Sequence, residues 1–178
     1  MKTENKILLI FFFILMINGE DFDCKKAKLE INYIRNCNNG NHIITIIDNS
    51  TIKMDEKCEL YTEMCSYIIE YHTAVFDVSI SKDNIHHFED KVDLCHKPKN
   101  AQDLSKVAIT AFSIPYVCPV ASNYTSCGGG KKIFSSNEIS KKVVEQLYAN
   151  NEPTKFFAEI NHDTGKSCME AELKISMI

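Results

Sequence analysis

Apolar and polar residues alternate along the last part of this chain. From Met169 onward, Met169, Ala171, Leu173, Ile175 and Met177 share one parity, and Glu170, Glu172, Lys174 and Ser176 share the other. A period of two predicts a strand with one buried face and one wet face. Phe156, Ala158 and Ile160 alternate in the same way, and Asp163-Thr164-Gly165 lies between the two runs. An antiparallel hairpin is therefore expected over Lys155 to Ile178. Upstream, Leu29, Ile31 and Tyr33 alternate with Glu30 and Asn32, and the polar cluster from Asn36 to Asn41 marks a turn. His42 to Ile47 is a β-branched run, and Phe76, Val78 and Ile80 alternate against Asp77, Ser79 and Ser81. Lys106 to Ile114 reads as a further strand ended by Pro115.

One segment carries a different period. Ser135-Ser136-Asn137-Glu138 has the form of a capping box, and Ile139, Val143 and Leu147 recur at helical spacing, which predicts a helix over Asn137 to Ala149. Cys58 to Ile69 is also compatible with a helical turn or two. Short strands at this spacing indicate a sandwich or barrel. The expected fold is all-β: a two-sheet antiparallel immunoglobulin-like β-sandwich or β-cup with one short helical insertion.

The N-terminus changes the picture of where the chain works. Lys2 and Lys6 precede an apolar run of Ile7 to Ile17, too short to span a bilayer, which takes about 20 residues. It reads as a secretory peptide over Met1 to Gly19, leaving residues 20–178 as one domain. All 8 cysteines follow that segment, and no C-x-x-C pair occurs, so a disulfide framework is expected rather than zinc or thioredoxin-type chemistry. The expected location is extracellular, or the lumen of an acidic endolysosomal compartment. The net charge of −4 becomes −5 once Lys2, Lys6 and Glu4 are removed, a balance that gives no support for nucleic-acid binding. Full protonation of the 6 histidines brings it to roughly +1, which would weaken repulsion from anionic membrane surfaces at acid pH.

Motifs that suggest catalysis have plainer explanations. Asp163-Thr164-Gly165 matches the aspartic-protease triplet, but that chemistry needs two such carboxylates, and these residues favour a turn. Gly165-Lys166-Ser167 lacks the first glycine of a phosphate-binding loop, Ile160 standing in its place. His86 and His87 are adjacent, and neighbours on a strand point to opposite faces, so neither a shared metal ion nor any other cofactor is expected. No local nucleophile motif occurs, and the chain is not expected to be an enzyme. Asn49-Ser50-Thr51 and Asn123-Tyr124-Thr125 are N-glycosylation sequons.

The tail also carries a family likeness. A strand, the Asp163-Thr164-Gly165-Lys166 turn, Ser167-Cys168, and then Met169-Glu170-Ala171-Glu172-Leu173-Lys174-Ile175 resemble the end of the ML lipid-recognition family, which includes the ganglioside-activator protein and the Niemann–Pick type C cholesterol carrier. Asp21-Phe22-Asp23-Cys24, Thr73 to Ile80, Val92-Asp93-Leu94-Cys95 and Cys118-Pro119-Val120 with Tyr124 are similar to family segments in the same order. The Asn137 to Ala149 helix departs from that pattern, and Cys37, Cys58, Cys65 and Cys127 do not all have counterparts. The resemblance implies bridges Cys24–Cys168 and Cys95–Cys118. Of the three pairings open to the other four cysteines, a local Cys58–Cys65 bridge is preferred.

The resemblance also implies a function. Two sheets that splay apart shelter an acyl chain or sterol between them, each methylene gaining about 0.8 kcal/mol on leaving water. The expected partner is a lipid (a fatty acid, sterol or glycolipid) held for transfer or presentation, with lining residues Phe76, Val78, Ile80, Phe112, Phe134, Phe156 and Ile160. Periodicity alone favours a filled core over a lined pocket, and only the resemblance reverses that. The alternative is therefore a secreted, disulfide-stabilised interaction module or inhibitor.

Overall fold

The computed structural model describes residues 22–37, 42–83, 85–96, 103–115, 117–133 and 137–178. The expected secretory peptide and Phe134 lie outside them. The strands are β1 (Ala27–Asn36), β2 (Ile44–Ile46), β3 (Ile52–Met54), β4 (Leu60–Thr62), β5 (Cys65–Ile68), β6 (Ala74–Lys82) and β7 (Ile85–Asp93), followed by β8 (Tyr124–Cys127), β9 (Lys131–Lys132), β10 (Thr154–His162) and β11 (Gly165–Met177). Two helices, α1 (Asp103–Ala111) and α2 (Asn137–Tyr148), interrupt them.

The first layer is one five-stranded antiparallel sheet ordered β1-β11-β10-β6-β7. The alternation in the tail behaves as its period demands: on β11 Ser167, Met169, Ala171, Leu173 and Ile175 are buried and the residues between them are not. Cross-strand register stacks the inward residues in rows. Met169, Ala158 and Val78 form one row, Ala171, Phe156 and Ile80 the next, and Leu173, Thr154 and Lys82 the last.

The second layer is a three-stranded sheet broken across its middle. One half is ordered β2-β5-β8 and the other β3-β4-β9. Backbone bonds from Ile47 N to the Cys65 carbonyl (2.8 Å), Glu63 N to the Thr51 carbonyl (2.9 Å) and Gly128 N to the Met64 carbonyl (2.8 Å) carry pairing through the break. The architecture is thus an antiparallel β-sandwich, with a single apolar cluster packed between its layers.

Two local expectations are corrected. Lys106 to Ile114 is not a strand: α1 and the turn after it occupy this stretch. Val107, Ile109 and Thr110 are β-branched, but Val107, Ala108, Ala111 and Phe112 share one helical face and are buried together. Packing of that face overrides local β preference. Cys58 to Ile69 forms β4 and β5 rather than helical turns. The helix expected over Asn137 to Ala149 is present as α2, followed by a 3-10 turn at Ala149–Asn151.

The disulfides are Cys24–Cys58, Cys37–Cys168, Cys65–Cys127 and Cys95–Cys118. Cys95–Cys118 is the bridge the resemblance implied. Cys24–Cys168 is not formed, and β1 is the reason. Ala27 pairs with Met177 and Asn36 with Met169, so the length of β1 holds Cys24 roughly 30 Å from Cys168 at about 3.4 Å per residue. Cys37 follows Asn36 and takes the place opposite Cys168, its amide donating to the Cys168 carbonyl at 3.0 Å. Cys58–Cys65 is excluded because Leu60–Thr62 between them is extended; Cys65 instead faces Cys127 across β5 and β8.

Candidate functional site

The inward rows of the five-stranded sheet continue under the two helices, and a small void remains there. Phe156 of β10 and Ala171 and Leu173 of β11 form its floor. Ile52 of β3, Leu60 of β4 and Ile133 close it from the opposite layer. Val107, Ala108, Ala111 and Phe112 enter from α1 and its end, and Val143 and Leu147 from α2. The lining is wholly apolar, three of its members are alanines, and the volume is about 30 Å³. That is room for about two waters, against about 150 Å³ for a cavity that admits benzene. As it stands the void holds no acyl chain.

The two helices are held differently. At the end of α1, Thr62 Oγ1 donates to the Ala111 carbonyl (2.8 Å) and Ser66 Oγ to the Phe112 carbonyl (3.2 Å). Ser113 Oγ reaches the Met64 carbonyl at 3.1 Å, and Ser113 itself turns left-handed to stop the helix (φ 53°). Thr62 and Ser66 are fully buried, so these bonds satisfy carbonyls that burial would otherwise orphan. α2 packs Val143, Val144 and Leu147 inward, and Lys82 Nζ donates to the Leu147 carbonyl at 2.8 Å. Burial pulls the Lys82 ammonium below the usual lysine range, while the Asp83 and Glu152 carboxylates favour its charged form.

Of the lining residues expected from sequence, Phe112 and Phe156 face the void. Phe76, Val78, Ile80 and Ile160 are buried on the same inward face but contribute to filled core elsewhere. Phe134 lies outside the described residues. Two inward polar side chains of the same sheet, Lys82 and Thr154, stand outside the expected set. Their signal was present in the parity, since Phe76, Val78 and Ile80 continue inward to Lys82, and Phe156 steps back inward to Thr154.

A polar cluster occupies the opposite end of the sheet. His162 packs against the buried Tyr71 ring, centroids 4.6 Å apart and tilted by 54°, and its Nε2 lies 3.2 Å from Ser167 Oγ. Ser167 is fully buried and accepts the Ile44 amide at 2.8 Å. His162 Nδ1 is buried with no hydrogen-bond partner among the described residues. Burial brings its pKa down to about 4, although Asp163 favours the charged ring. The Asp163 carboxylate is itself taken by the His72 and Thr73 amides (2.9 and 3.1 Å) and the His72 ring, which hold its pKa down to about 2. The Asp-Thr-Gly triplet is thus a hairpin turn tied to the neighbouring strand. His42 accepts the Cys168 amide at Nδ1 and donates from Nε2 to the Cys37 carbonyl, bracing the Cys37–Cys168 bridge.

The two sequon asparagines are exposed. Asn49 sits in a turn with φ 67°, and Asn123 Oδ1 accepts the Glu70 amide at 3.0 Å.

No family model matches this chain. The chain is similar to the sporozoite-associated mosquito saliva protein 1 of Anopheles gambiae, with 25% identity over 148 residues that cover 82% of this chain and 79% of that protein.

Proposed function

We propose that this is a secreted, non-enzymatic lipid-binding protein of the ML type, which takes an apolar chain between its layers beneath α2. The observation that carries the reading is the apolar void at the place where helices, rather than strands, close the sandwich. The motif order along the chain supports it. Four disulfides suit an oxidising compartment, and the relative's name, a saliva protein, favours the extracellular space over an acidic lumen.

The void must enlarge to admit a guest, and magnitudes decide whether it can. Lifting α2 exposes Val143, Val144 and Leu147, at roughly 1.5–3 kcal/mol each, or about 5–9 kcal/mol together. A sixteen-carbon chain leaving water gains about 12 kcal/mol gross. The guest outweighs the helix. α1, anchored through three side-chain hydrogen bonds to strand and helix carbonyls, stays in place.

A second reading, a solid-cored interaction module, is favoured by the small volume of the void. Native mass spectrometry after incubation with palmitate or sterol-loaded vesicles separates the two. One lipid adduct per chain is expected, and bare protein after every challenge would leave the interaction module standing.

A further inference from the structure

The last inward row of the five-stranded sheet ends in two polar side chains where its pattern calls for apolar ones. Thr154 pairs with Lys82 on one side and with Leu173 on the other. Lys82 is 7% exposed and Thr154 3%. Leu173 lines the void, as does Phe156, the next inward residue of β10, and the carbonyl that Lys82 reaches belongs to Leu147, whose side chain lines it too. The polar pair itself does not line the apolar cavity, but its pairing partner Leu173 and its acceptor residue Leu147 do, at the end covered by α2.

A capping role for Lys82 accounts for one of its three N–H donors. It does not account for Thr154, whose Oγ1 is buried without a hydrogen-bond partner among the described residues. A buried hydroxyl left unsatisfied is costly, and proteins rarely keep one where valine would fit. An ammonium with spare donors beside an unpartnered hydroxyl matches two oxygens of a carboxylate. The Asp83 and Glu152 carboxylates favour the charged ammonium and oppose a multiply charged phosphate head more strongly than a singly charged carboxylate.

We propose that Lys82 and Thr154 form the head-group site for a chain ending in a single carboxylate, a free fatty acid, whose tail fills the cavity beneath α2. This rests on the lipid-binding reading above and names the lipid class. Binding engages the spare donors of Lys82 at the end of α2, where the same ammonium holds the Leu147 carbonyl.

The test compares palmitate with 1-hexadecanol, equal in chain length and different in head, by fluorescent-probe displacement on the full secreted chain. Wild type should bind palmitate about tenfold more tightly, the factor a charge-assisted hydrogen bond carries. Lys82→Met should erase that preference, bringing the ratio of the two affinities to about one. Thr154→Val preserves shape and breaks no hydrogen bond, so it tests the site even if the lysine variant fails to fold; palmitate affinity should fall about threefold to tenfold. Equal binding of both ligands by wild type, or an unaltered preference in Thr154→Val, overturns the head-group site alone. Failure of wild type to bind either ligand overturns the lipid reading beneath it.

Discussion

Replacing His162 with glutamine should flatten the loss of stability that wild type suffers between neutral and mildly acid pH. In the folded chain the His162 ring packs at a tilt against Tyr71, contacts Ser167, and has no hydrogen-bond partner for Nδ1 among the described residues. Charging the ring makes both nitrogens donors, one of them without an acceptor, and burial opposes it, so the folded pKa falls to about 4 from 6.5. The unfolded chain binds that proton more readily. The stabilisation from a neutral His162 is therefore complete above about pH 6.5 and drains away as the pH falls toward about 4. The full gap is worth about 3 kcal/mol at about 1.36 kcal/mol per pH unit. Partial exposure of the ring and a start at about pH 4.5 reduce the expected loss to about 2 kcal/mol. Asp163, held down to about 2, contributes its own acid loss only below its usual 3.8, outside this window. Urea unfolding at about pH 7.5 and about pH 4.5 measures the difference for wild type and His162→Gln. Glutamine retains a hydrogen bond to Ser167 and does not titrate. If both proteins lose the same stability between the two pH values, the buried-imidazole argument is refuted.

Removing the Cys37–Cys168 bridge by paired alanine substitution should cost about 3–5 kcal/mol, since it closes a separation of 131 residues, and the urea midpoint reports the loss. Non-reducing peptide mapping should recover the Cys37 and Cys168 peptides linked; a Cys24–Cys168 pair instead would overturn the β1–β11 register. Gly128→Ala places a methyl 2.5 Å from Thr62 Cγ2 and 2.7 Å from the Thr62 carbonyl oxygen, so it should destabilise by about 1–3 kcal/mol in a thermal melt. It should also loosen α1, because Thr62 holds the Ala111 carbonyl. Protein secreted from eukaryotic cells should lose mass on N-glycosidase treatment in two steps, one each removed by Asn49→Gln and Asn123→Gln, whose side chains are exposed.

Much of the framework is legible in single residues. The alternation from Met169 to Ile175 determines which face of β11 is buried, because a pleated strand sends successive side chains to opposite sides and only one side meets the core. The same parity holds for Phe76, Val78 and Ile80 on β6, and Ile139, Val143 and Leu147 mark α2 through the helical period. These are local rules, satisfied within a few residues of chain.

Other features are decided by where distant segments meet. The stretch from Lys106 to Ile114 carries β-branched residues, and becomes α1 because its apolar helical face is received by Leu60, Ile52 and the end of the β-sandwich. Eight cysteines imply bridges, but the partners follow from strand register, in which Asn36 meets Met169 and carries Cys37 to Cys168. Parity alone aims Lys82 and Thr154 inward, yet only the lateral pairing of β6, β10 and β11 sets them side by side next to the void under α2. Local periodicity is enough to set the buried faces; the pairings belong to the folded whole, because long-range register depends on which segments bury one another and not on any one segment's pattern.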